Sequence, residues 1–294
     1  MSDTATSLRR KIASAGELES VVRTMKAMAA SSIAQYENAV LSLDEYYRTV
    51  QLGLVASLRQ GELSNAKTPA MRRNSGTIGA IVFGSDQGLV GRFNEVMVEF
   101  VTQSLAKFSA KANVWAVGER IQSRLTDTDL VPKINFILPN SISAITLLVG
   151  QILIALEAHR KNGEFVQVYL FHNRPTSSAI YTPVCQRLLP LDDAWQRDLK
   201  TIHWPTGNLP EVINGTEPTL LAFLREYLFV SLFRACAESL ASENASRLAA
   251  MQRAEKNIDE LQEDLNRTFH RLRQSDIDEE LFDVVSGFEA LTST

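Results

Sequence analysis

The 294-residue chain is poor in several things that whole classes of protein require. It has only two cysteines, Cys185 and Cys236, in segments assigned below to different structural parts. A disulfide framework is therefore not expected, and a reducing compartment fits. Thirty basic residues against 34 acidic ones leave a net charge of −4. With no basic surplus, nucleic acid is a poor candidate partner. Local basic clusters at Arg9, Arg10 and Lys11, and at Arg267, Arg271 and Arg273, can still grip an acidic protein. Long apolar runs are missing too. The most apolar stretch, Ile142 to Leu156, is interrupted by Ser143, Thr146 and Gln151 and reads as a buried helix rather than a membrane span. Met1 to Lys11 has no apolar core, so no secretory signal is expected there.

Recognisable chemistry is equally sparse. The four histidines, His159, His172, His203 and His270, show no metal-ligand spacing among themselves or with the cysteines. No G-x-S-x-G elbow occurs. The glycine-bearing stretch Gly84 to Gly91, GSDQGLVG, follows an apolar run and opens a helix. A phosphate loop would continue with Lys and Ser or Thr, but Arg92 and Phe93 stand there, and the dinucleotide spacing is absent. It reads as a strand-to-helix turn capped by Ser85 or Asp86. The carboxylate pairs Asp192–Asp193, Asp259–Glu263 and Asp278–Glu280 read as solvated surface. No catalytic, cofactor or metal site is expected.

What is present is a contrast between the ends and the middle. With 45% hydrophobic and 22% charged residues the chain is built to fold. Residues 7 to about 60 contain no proline and, as glycine, only Gly16 and Gly53. Residues 219–291 contain no proline and only Gly287. All nine prolines lie between. Breaker-free runs of that length predict long helices over 1–62 and 217–291. In the second, Val230, Phe233, Ala237, Leu240, Asn244, Arg247, Met251, Ala254, Ile258, Leu261, Leu265, Thr268 and Leu272 follow alternating steps of three and four. The first has a matching seam at Ile33, Tyr36, Val40, Leu43, Tyr47, Val50 and Leu54. This is the heptad pattern of a coiled coil. A helix over 219–291 would be roughly 110 Å long at 1.5 Å per residue. Its stripe must be covered by another helix or another chain. Asn244 and Arg247 put polar groups on that stripe, either fixing register, meeting an outside partner, or marking a place where the seam changes face.

The middle, about 75–208, alternates strands with helices. Strands are expected at 77–83, 114–117, 133–138, 165–173 and 179–189, and helices at 92–110, 118–125 and 141–161. That order predicts a small, mostly parallel sheet with flanking helices. Residues 190–216 read as a polar connector. The fold expected is α/β plus a long antiparallel coiled coil. The N- and C-terminal helices pair, and a central Rossmann-like α/β domain is inserted between them.

Three segments carry a resemblance. LRRKIASAGELESVVRTMKAMAAS (8–31) resembles the opening helix of the F-type ATP synthase gamma subunit, and Phe233 to Leu291 is similar to that family's closing helix. FGSDQGLVGRFNE (83–95) resembles its serine-aspartate-x-glycine-leucine turn. The resemblance implies a non-catalytic rotor shaft inside a ring of alpha and beta subunits, with epsilon and the membrane-embedded c-ring at its foot. It implies a peripheral position on the cytoplasmic face of a bacterial inner membrane, with membrane contact only through the complex. It also implies roles for single residues. Met25 and Lys26 match the stretch facing the beta-subunit lever, Arg247 an arginine of the closing helix, and Arg273 with Gln274 the pair meeting the beta-subunit catch loop. Departures occur at Ser32 to Gln35, at Asp276, Asp278, Glu279 and Glu280, and around Phe136 to Gln151, the pattern of a divergent or alternative-ATPase branch. Two other readings stay open. An enzyme with a coiled-coil arm would need a phosphate- or base-reading motif, and a scaffold would form a stable dimer by itself.

Overall fold

The computed structural model describes residues 4–63, 77–108, 110–162, 164–189, 201–208 and 215–292, with 197, 199, 211 and 213 between them. The expected boundary at 62–75 and most of the expected connector, including Asp192 and Asp193, lie outside the described residues. The helices and strands are α1 (Ala5–Leu63), β1 (Thr77–Phe83), α2 (Phe93–Leu105), β2 (Ala112–Val117), α3 (Glu119–Thr126), β3 (Ile134–Phe136), α4 (Ile142–Lys161), β4 (Phe165–Arg174), β5 (Thr182–Leu189) and α5 (Thr216–Thr292). Packing divides them into two compact units, residues 1–29 with 248–294, and residues 30–247.

The first unit joins the two ends of the sequence. On α1 the protected positions include Ala5, Leu8, Ile12, Ala15, Glu19, Val22, Lys26 and Ala29, again in alternating steps of three and four. They are in phase with the seam read from Ile33 onward, so one stripe runs the length of α1. Arg9 lies 5.3 Å from the Phe269 ring centre, Gln262 Nε2 donates to Glu19 at 3.2 Å, and Lys26 Nζ donates to Glu255 at 2.6 Å. Partner numbers fall as α1 numbers rise, so the two segments are antiparallel. The core of this seam is thin and made of small or single apolar groups, with Leu8, Ala15, Ala29 and Met251 buried. On α5 the protected stripe takes in Gln262, while Leu261, expected on the seam, is half exposed. Gln262 displaces it because its amide bonds Glu19 across the pair. From Arg273 to Ser286 every α5 side chain is exposed.

The second unit is built on a five-stranded sheet of order β3-β2-β1-β4-β5. The first four strands are parallel and the edge strand β5 is antiparallel to β4. Side chains alternate faces along each strand. Ala80, Val82, Ala116 and Phe171 meet Met97 and Val101 of α2 and Ile121 and Leu125 of α3. Ile81, Phe83, Trp115 and Leu170 face the other way, onto Ile145, Val149 and Ile152 of α4 and Leu232, Phe233, Cys236 and Leu240 of α5. Both faces of β1 are thus covered, which is why its sequence is a continuous apolar run. The α4 stretch Ile142–His159 is long and apolar enough to cross a membrane by length and composition. Its apolar stripe nevertheless packs on the sheet, as expected of a core helix. Between Tyr227 and Glu243, α5 is buried on most of its circumference, enclosed by α1 and the sheet.

Candidate functional site

The turn between β1 and α2 is bonded throughout. Asp86 Oδ1 accepts the Glu119 N–H at 2.8 Å and Oδ2 accepts the Leu138 N–H at 3.2 Å. Ser85 N–H donates to Asn94 Oδ1 at 3.0 Å, and Asn94 Nδ2 donates to Ser85 Oγ at 2.8 Å. The cap expected on α2 is therefore not there. Residue Arg92 starts α2 without a side-chain cap, and Asp86 reaches across to the first turn of α3 instead. Asp86 takes up one of the free N–H groups at the α3 N-terminus, and its negative charge there disfavours an anion. Glycine is required beside it. A Cβ on Gly84 would stand 2.2 Å from Ile121 Cβ, and Gly118 has φ +118.

One serine of α5 fastens this turn and another holds the end of β4. Ser246 Oγ donates to Val90 O at 2.6 Å, and Ser242 Oγ to Asn173 O at 3.1 Å. One turn further back lies a buried carboxylate. Glu238, 4% exposed, accepts from His172 Nε2 at 2.8 Å, Arg174 Nε at 2.8 Å and Arg234 Nε at 2.9 Å. Burial by itself would raise the Glu238 carboxyl, but the bonds from His172, Arg234 and Arg174 outweigh it and hold it at about 2. His172 is lowered as well, but by burial, which prevails despite Glu238, so it is a neutral ring with its proton on Nε2. Arg234 Nη1 continues the chain of bonds to Asp44 of α1 at 2.9 Å. One carboxylate thereby joins β4 and α5, and through Arg234 reaches α1.

The residues assigned by resemblance are divided by the structure. Arg273 and Gln274 are exposed on α5, and Met25 is partly exposed on α1. Lys26 lies on the seam and pairs with Glu255. Arg247 is turned inward, 9% exposed, with Nη2 on Glu243 at 2.6 Å and Nη1 on Asn244 at 3.2 Å. Burial raises the Glu243 carboxyl to about 6 against the pull of Arg247. The polar seam residues Asn244 and Arg247 thus bond each other, and Arg247 also bonds Glu243. The sequence reading missed Glu19, Glu255 and Gln262. The signal available was that Glu19 and Lys26 stand in phase with Ile33.

These contacts define a class of protein. Its polar groups are spent on joining elements, and among the described residues no group of three metal-binding side chains occurs. The chain is built of an α/β unit and a two-helix unit. A family model described as ATP synthase matches residues 4–291. The chain is 26% identical over 291 residues to the ATP synthase gamma chain of Glaesserella parasuis serovar 5 (strain SH0165), covering 98% of this chain and 99% of that one. Its fold is similar to a chain of the central stalk and c-ring of Tetrahymena thermophila mitochondrial ATP synthase (TM-score 0.57, 22% identity, 80% of this chain and 99% of that one). It is similar as well to a chain of the Euglena gracilis mitochondrial ATP synthase rotor (TM-score 0.64, 17% identity, 93% and 98%). The chain belongs to the gamma-subunit family of ATP synthase, and as a stalk subunit it is not itself an enzyme.

Proposed function

We propose that this chain is the central rotor shaft of an F-type ATP synthase, coupling ion-driven rotation of a c-ring to ATP synthesis or hydrolysis in a ring of alpha and beta subunits. The observation that carries the reading is the antiparallel pairing of Arg9 with Phe269, Glu19 with Gln262 and Lys26 with Glu255. Two chain ends so joined resist bending better than either helix alone, and the uncovered α5 end offers a surface for other subunits to grip. The expected partners are alpha, beta, epsilon and the c-ring. The related structures carry the names central stalk, c-ring and rotor, which supports the c-ring as a partner. The complex is membrane-associated, and we place it on the cytoplasmic face of a bacterial membrane, reached only through its partners.

Torque is assigned to Met25, Arg273 and Gln274 as direct contacts, since they are exposed or partly so. Arg247 and Lys26 act from paired positions, and each must exchange an internal partner for an external one to touch the ring. Polar contacts of about 1–3 kcal/mol each transmit force without permanent adhesion. Co-expression with the alpha and beta subunits tests the assignment. Isolation of one large complex containing this chain is expected, and its elution free of both subunits rejects the reading.

A further inference from the structure

Two carboxylates are buried on α5, Glu238 and Glu243, and their surroundings differ. Glu238 holds three donors across both of its oxygens, from His172, Arg174 and Arg234. Glu243 holds one, Arg247 Nη2 on Oε1 at 2.6 Å. Its Oε2 is buried with no hydrogen-bond partner among the described residues, and so is Arg247 Nε. An arginine and a carboxylate at their strongest share two parallel bonds. Here both groups are out of water with half of that geometry unmade, and removing two charges from water costs more than one such bond returns. The groups that face Glu243 from other elements do not compensate. Asp86, in the turn after β1, adds a like charge. Tyr36 of α1 is a phenol that burial pushes up and so keeps neutral. On α5 itself, burial pushes the Cys236 thiol up in the same way.

We propose that Glu243 is a proton-operated latch on Arg247: as a carboxylate it keeps the guanidinium turned inward, and on taking a proton from solvent it lets the guanidinium turn out to an acceptor beyond the chain. Release is local. Arg247 keeps 11% of its side chain open to water, and a long arginine stem carries its head outward by rotation of its own bonds. The backbone beside it is held, since Ser246 fastens α5 to Val90. Once Glu243 is neutral, the guanidinium is left with Asn244 Oδ1, an uncharged acceptor at 3.2 Å. Burial raises the Glu243 carboxyl from 4.5 to about 6, so the latch is shut above about pH 7 and opens as pH falls through about 6. Because the folded value lies above the ordinary one, the proton favours the folded chain, and opening the latch does not unfold it. The latch concerns this chain alone. Its use rests on the shaft role, under which an acceptor on the ring that takes Arg247 leaves Glu243 to bind a proton.

The test is nitrogen NMR of the purified full-length chain, reading exchange of the arginine Nε–H with water at pH 7.5 and pH 5. Arg247 and the exposed Arg273 are assigned by changing each to lysine, and the ratio of their rates cancels the intrinsic effect of pH on exchange. With a midpoint of about 6, Glu243 carries the proton in about 3% of molecules at pH 7.5 and about 90% at pH 5, so the ratio should rise about thirtyfold. Glu243→Gln has the shape of the protonated acid and should keep the ratio high at both pH values. If that variant misfolds, the wild-type ratio decides alone. A wild-type ratio that does not change with pH overturns the proposal. So does a Glu243→Gln ratio that follows the wild type, because another group would then govern Arg247. Failure to assemble with the alpha and beta subunits rejects the shaft role and leaves this titration untouched.

Discussion

Replacing Glu238 with glutamine keeps the shape of the side chain and removes its charge, so it isolates what the buried carboxylate contributes. In the folded chain the group is held at about 2 against an ordinary value of 4.5. A difference of about 2.5 units corresponds to about 3 kcal/mol, using 1.36 kcal/mol per unit. The direct contacts agree. Three charge-assisted bonds are lost, but Arg174 and Arg234 are 42% and 33% exposed and regain water, which holds the net loss at about 3 kcal/mol. Because the folded value is depressed, this stability is complete above about pH 5 and disappears as pH falls toward about 2. By pH 3 about 2 of the 3 kcal/mol should be gone. The assay is urea unfolding of wild type and Glu238→Gln at pH 7 and pH 3, followed by fluorescence of the buried Trp115, which reports the sheet-containing unit. Unfolding curves separated equally at both pH values would refute the reasoning, since the loss would then be shape or packing and not charge.

Other expectations rest on separate contacts. A double-mutant cycle on Lys26 and Glu255 should show coupling of about 0.5–1 kcal/mol that fades in 1 M salt, measured by thermal unfolding, because both groups keep partial contact with water. Gly84→Ala should cost about 2–3 kcal/mol or abolish folding, since its Cβ collides with Ile121; hydrogen exchange in β1 and α3 reads the effect. Ser246→Ala should cost about 1 kcal/mol through its lost bond to Val90, with protease sensitivity of the 84–91 turn as a second measure. Changing Arg273 and Gln274 together to alanine should leave helix content unchanged by circular dichroism and stability within about 0.5 kcal/mol. In the assembled complex the same pair should weaken coupling of ATP hydrolysis to ion pumping.

The long elements were legible because their signals are local. Absence of proline and glycine marks α1 and α5, and apolar runs between turns mark β1 and β4. What escaped the sequence was pairing at a distance. Glu19 and Lys26 interrupt the apolar pattern of α1, so its seam seemed to begin at Ile33. Their partners, Gln262 and Glu255, lie more than 200 residues away. Ser85 or Asp86 was placed as a cap on the helix that follows, yet the Asp86 oxygens bond α3 and Leu138 just after β3, which only the folded sheet brings near. His172 was weighed solely as a metal ligand, and Glu238 was passed over although it sits alone among the small and apolar residues Cys236, Ala237, Leu240 and Ala241. Arg247 was assigned from resemblance, and no pattern in one sequence could tell that it turns toward Glu243.

The polar rungs between α1 and α5 also decide which alignments are forbidden. Sliding one helix by a heptad in one direction would bring Glu19 against Glu255, two like charges. Sliding it the other way would set Lys26 beside Gln262 and strand the Glu255 charge. An apolar ladder of alanines would tolerate either offset with little loss. A charged one behaves as a keyed joint, so a twisting load meets two helices with one favoured alignment in shear.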